Sequence, residues 1–61
     1  MNSKEILENA IQNYTVTNDN LKSQLSNPDI SPERKKDVER MIEDNQKQID
    51  QLTEKLKKLG E

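Results

Sequence analysis

Two series of residues in the 4-3 spacing of a coiled coil run through this sequence and limit what it can fold into. The first series is Leu7, Ile11, Tyr14, Leu21 and Leu25. The second series is Val38, Ile42, Ile49, Leu52, Leu56 and Leu59. Each series has one polar interruption, filled by Asn18 in the first and by Asn45 in the second. Because this spacing places all members of a series on one stripe, the sequence predicts two helices, each with an apolar seam.

The segment between the two series contains residues that end one helix and begin another. Pro28 disfavours helical geometry at Asn27, so helix 1 should end there. Ser31 is a suitable N-cap for helix 2, with Pro32 as the first helical residue. Gly60 is expected to end helix 2 in a left-handed conformation. The predicted bounds are about 3–26 for helix 1, 27–31 for the turn and about 32–59 for helix 2.

If the two seams face each other in antiparallel orientation, the sequence predicts a definite register between the two helices. The layers are Leu25 with Val38, Leu21 with Ile42, Tyr14 with Ile49, Ile11 with Leu52, and Leu7 with Leu56. The same register sets Asn18 opposite Asn45. Paired amides in an apolar seam fix register and topology. The alternative is that a seam this thin stays partly wet and merely tolerates them.

The composition makes a lone hairpin a weak fold. Only 28% of the 61 residues are apolar and 36% are charged, so burial can hardly offset the entropy of ordering the chain. We therefore predict an all-α, antiparallel two-helix hairpin over 1–61 that dimerises into a four-helix bundle. A start at Met1 with no tag-like segment suggests a complete short gene product.

Several classes of function are disfavoured by the residues present. The chain has no cysteine and no histidine, so neither a common zinc site nor a histidine base can be assembled, and its one glycine cannot form a phosphate loop. We expect no enzyme activity, no cofactor and no metal. The longest apolar run is two residues, too short for a membrane helix or a signal peptide, so the expected location is the cytoplasm.

The residues flanking the seams divide into two sides of different chemistry. One side, the charged rim, contains Glu8, Thr15, Lys22, Glu39, Gln46 and Thr53. The other, the Ile6/Met41 side, contains Ser3, Ile6, Ala10, Thr17, Gln24, Met41, Gln48 and Lys55. Its expected single charge is unusual, because exposed flanks of a coiled coil are typically charged. We predict a protein-binding face centred on Ile6, Ala10, Thr17, Met41 and Gln48; the alternative is an ordinary neutral surface with two stray apolar residues.

A basic cluster at the start of helix 2 offers a different function. Arg34, Lys35, Lys36 and Arg40 could contact nucleic acid, but acidic residues are interleaved with them and the net charge is −2. We therefore expect a small regulatory or accessory protein of bacterial or phage type. It would bind protein, either a second copy or a larger target. The alternatives are a nucleic-acid-binding hairpin and a purely structural assembly part.

Overall fold

The chain forms two helices that pack against each other as an antiparallel hairpin. The computed structural model describes residues 2–60, in which α1 spans Ser3–Leu25 and α2 spans Pro32–Leu59, with no strand in that part of the chain. The hairpin measures 46 × 17 × 13 Å. The predicted all-α, two-helix fold is confirmed, and the helix bounds lie within one residue of those expected.

Both helices begin at side-chain caps. The Asn2 Oδ1 accepts a hydrogen bond from the Glu5 amide at 2.8 Å, and the Ser31 Oγ accepts one from the Arg34 amide at 3.1 Å. Pro32 is in the first turn of α2, as predicted. Such caps each stabilise a helix by about 1 kcal/mol because they satisfy amides that have no partner inside the helix.

The connection between the helices is a tight turn. The Ile30 amide donates to the Asn27 carbonyl at 3.2 Å, and the Asn27 Oδ1 accepts from the Asp29 amide at 3.0 Å. Pro28 follows Asn27, the turn position at which its fixed φ is favourable. Ile30 is half-buried at the turn end of the apolar seam.

The C-terminal cap of α2 corrects one prediction. Gly60 has φ −80° and ψ −7°, a right-handed conformation, so the expected left-handed terminator is wrong. The Gly60 amide instead donates to the Leu56 and Lys57 carbonyls, both at 3.2 Å. This shared bond continues the right-handed winding into the last turn, and glycine can adopt either hand.

The core follows the predicted seams. Among residues 2–60, Val38 (0% exposed), Asn18 (3%) and Leu21 (7%) are buried, and the other seam positions up to Leu56 are half-buried. Leu59, which continues the second series, is 54% exposed. Its layer partner in this register is Lys4, so no apolar side chain covers it.

Candidate protein-binding surface

A pair of asparagine amides spans the seam between the helices. The Asn45 Nδ2 donates to the Asn18 Oδ1 at 2.9 Å, and the Asn18 Nδ2 donates to the Ile42 carbonyl at 3.2 Å. No buried side-chain nitrogen or oxygen in residues 2–60 is left without a partner. The predicted pairing of Asn18 with Asn45 is therefore present. Their role in setting the register stays a prediction.

Exposed apolar side chains are concentrated on the Ile6/Met41 side. The large ones in the described chain are Ile6 (53% exposed), Val16 (51%), Met41 (39%) and Leu59 (54%). Ile6 and Met41 were placed on this side by the heptad pattern, and Leu59 lies next to Ile6. Val16 lies away from both flanks, on the outer surface of α1. Three of these four side chains thus share one side.

The open end of the hairpin has an apolar groove on this side, which we call the end groove. Its volume is about 470 Å³, and its lining is Ser3, Ile6, Leu7, Lys55, Lys58 and Leu59. Three aliphatic side chains and two lysines are therefore among its lining residues. Such a groove can accept an apolar side chain, with negative charge nearby to match the ammonium groups.

A second groove, the middle groove, lies nearer the amide layer. It is lined by Ala10, Asn13, Tyr14, Thr17 and Asn45. Small side chains on α1 leave room there for another backbone to approach, while Asn45 and the edge of Tyr14 supply polar atoms. Of the five residues predicted for the binding face, Ala10 and Thr17 line this groove and Ile6 lines the end groove. Gln48 is exposed but lines neither groove.

The charge on the Ile6/Met41 side differs from the prediction. The Arg34 Nη2 donates to the Gln24 Oε1 at 3.0 Å across the helices, and Lys58 borders the end groove. This side therefore has Arg34 and Lys58 in addition to Lys55, and Asp37 and Asp44 share the heptad position of Lys58, so the expectation of one charge is wrong. Arg34 was detectable in the sequence, because it is seven residues before Met41 and repeats its heptad position.

The basic cluster is divided among different surroundings. Arg34 contacts Gln24 on the Ile6/Met41 side, whereas Arg40 pairs with Asp37 at 3.4 Å on its own helix. Lys35 and Lys36 are exposed between Glu33 and Asp37. Exposed pairs of this kind contribute at most about 1 kcal/mol. Acidic side chains therefore lie among the four basic residues in the folded helix, and Arg34 and Arg40 each contact another side chain.

Metal binding and membrane crossing are two further possibilities for a small helical chain. Within residues 2–60 no three acidic, histidine or cysteine side chains come together as metal ligands do. Neither α1 nor α2 has the length and apolar character needed to cross a membrane. Comparison of the chain with protein-family profiles, with curated proteins and with solved structures gives no match in any of the three.

Proposed function

We propose that this chain is a non-enzymatic binding protein that uses its Ile6/Met41 side to dock another protein helix. The observation that carries the proposal is the coincidence of both grooves with three exposed apolar side chains on that one side. A helix docked there would cover Ile6 and Leu59, which the hairpin leaves about half exposed. Burial of apolar surface stabilises a complex by roughly 25 cal/mol per Å² before the costs of association.

The small core supports the same proposal. Three buried side chains in residues 2–60 are few for a fold that orders 23 residues in α1 and 28 in α2. Docking would add buried surface along both helices at once. Self-association into a four-helix bundle is one form of this binding, and capture of a larger target is the other.

Two threonines provide a matched test. Thr15 is on the charged rim and Thr17 is on the Ile6/Met41 side. Both are exposed in α1, and each hydroxyl donates to the carbonyl four residues earlier at 2.8 Å. Thr17→Arg and Thr15→Arg therefore have closely similar effects on the helix itself. Only Thr17→Arg places an unpaired charge in the docking surface.

We expect Thr17→Arg to weaken association at least about a hundredfold, because burial of an unpaired charge costs about 3 kcal/mol or more. Thr15→Arg should change it less than threefold. Sedimentation equilibrium measures self-association, and affinity capture from host lysate measures binding of a larger target. Equal behaviour of the two variants in both assays would refute the proposal.

A further inference from the structure

The charged residues that α2 contributes to the Ile6/Met41 side lie in two rows at heptad spacing. The inner row, Arg34, Met41, Gln48 and Lys55, has a cation at each end. The outer row consists of Asp37, Asp44, Gln51 and Lys58, and Lys58 borders the end groove. Positions seven apart keep the same orientation relative to the seam. The outer row therefore has its anions toward the turn and its cation at the open end.

The corresponding surface of α1 contains no ionisable side chain. It consists of Ser3, Ile6, Ala10, Asn13, Thr17, Asn20 and Gln24. Five of these line the two grooves together with residues of α2 or the seam, and Gln24 contacts Arg34. A partner that fits the whole side must meet an uncharged helix face and, beside it, a helix face whose outer row has anions toward the turn and a cation at the open end.

A second copy of the chain has this pair of faces. In one arrangement the two-fold axis is perpendicular to the long axis of the hairpins, and the two turns lie at opposite ends. Each α2 then lies beside α2 of the other copy, and each α1 lies beside α1. If the two-fold axis is instead parallel to the long axis, both turns lie at the same end. Each α2 then packs on the uncharged face of α1 of the other copy. Asp37 and Lys58 of α2 meet opposite charges of the other copy only in the first arrangement, while Arg34 keeps its contact with Gln24 of its own hairpin.

We propose that the occupant of the Ile6/Met41 side is a second copy docked with its turn at the opposite end. This inference rests on the proposed function and names its partner. In this dimer the two α2 helices are antiparallel, with Asp37 opposite Lys58 of the second copy and Asp44 opposite Gln51. Each pairing occurs twice because of the two-fold axis. This alignment brings Met41 to the edge of the other copy's end groove. The two-fold axis then crosses α2 beside Gln48, at the level of the middle groove.

The orientation is measurable as a distance between spin labels, because the chain has no cysteine of its own. Asp29→Cys places a nitroxide in the exposed turn. With about 1.5 Å of helix rise per residue, turns at opposite ends are about 50 Å apart, whereas turns at the same end are within about 25 Å given the 17 Å width of one hairpin. Lys47→Cys, near the axis, should give less than about 30 Å in the opposite-end dimer.

A charge exchange tests the contact itself. Asp37→Lys and Lys58→Asp should each raise the dimer dissociation constant about tenfold at low salt, since each replaces two attractions by two repulsions. The double variant should return it to within about threefold of the unmodified chain. Glu43→Lys is the matched control, because Glu43, like Asp37, has an exposed ion pair on its own helix but lies away from this side.

Each outcome decides the inference. A long Asp29 distance together with recovery in the double variant supports it. A short Asp29 distance, or a double variant weaker than both single variants, overturns the orientation while leaving a dimer. A mass of 7.1 kDa at millimolar concentration overturns the second copy as occupant. In that case the Thr17/Thr15 comparison in affinity capture still tests the proposed function separately.

Discussion

Replacement of Asn18 and Asn45 by leucine, singly and together, tests what the amide layer contributes. Asn18 is 3% exposed, and its amide oxygen accepts a hydrogen bond from Asn45. Removal of the Asn45 amide therefore leaves the buried Asn18 oxygen without a hydrogen-bond donor. Asn45 is only half-buried and can turn toward water. The two single substitutions should therefore differ, although both remove the same hydrogen bond.

The expected free energies follow from burial and hydrogen bonding. Asn18→Leu gains about 2 kcal/mol from a buried leucine and loses two hydrogen bonds worth about 1 kcal/mol each, a net change near zero. Asn45→Leu gains about 1 kcal/mol at its half-buried site but leaves the Asn18 oxygen unpaired at a cost of about 2 kcal/mol. The double variant gains about 3 kcal/mol and loses about 2. It should be more stable than the unmodified chain by about 1 kcal/mol, with a coupling energy of about 2 kcal/mol.

Urea unfolding followed by circular dichroism measures these values, with the protein concentration held fixed because association shifts apparent stability. The double variant should also populate more than one register between the two helices. Slipping the seam by one heptad sets Asn18 opposite Leu52 and Asn45 opposite Leu25, a mismatch that leucine at both sites removes. Broadened or duplicated amide signals in the NMR spectrum would report the additional register. Additive single effects, or a destabilised double variant with one sharp set of signals, would refute the reasoning.

Two further predictions concern the core and the cap. Val38→Ala should destabilise the hairpin by about 1–2 kcal/mol in urea unfolding, because Val38 is fully buried. The control Val16→Ala, at a site 51% exposed, should change the free energy of unfolding by less than about 0.5 kcal/mol. Equal effects of the two substitutions would contradict the assigned core. Ser31→Ala should cost about 1 kcal/mol by removing the cap on the Arg34 amide. Ser26→Ala, in the C-cap of α1, should cost less, and the reverse order would contradict the capping role of Ser31.

The features that could be predicted from the sequence are those fixed by local chemistry or by periodicity. Proline and serine mark the start of α2 through one fixed dihedral and one side-chain acceptor, which need no tertiary contact. The Asn18–Asn45 pairing follows from counting heptads outward from the turn. Periodicity assigns a residue to a stripe without saying whether anything covers it, so it places Leu59 in the seam although only Lys4 lies opposite. The hand of Gly60 was not predictable because glycine permits both.

The binding side was less predictable for a related reason. The sequence placed Ile6 and Met41 on it, but a groove depends on how far apart the two helices stand, which is a property of their packing. The end groove lies where Leu59, with Lys4 opposite, has no apolar layer partner. The neighbours of Arg34 in the sequence place it in a basic cluster, whereas its side chain reaches across to Gln24 of α1. Sequence proximity and surface proximity differ on a helix, since only positions three, four or seven apart share a face.

The distribution of burial along the hairpin indicates where docking should have its largest effect. The buried side chains of the described chain lie at or on the turn side of the amide layer, whereas Leu7, Ile11, Leu52 and Leu56 at the open end are half-buried. Elements with few buried contacts open most readily. With turns at opposite ends, the turn half of each copy, which contains the buried side chains, would cover the open half of the other. Amide exchange over residues 52–58 should therefore slow at least tenfold between micromolar and millimolar protein, while exchange near Val38 should change less. Slowing of the two regions by the same factor would show instead that the hairpin opens as a single unit.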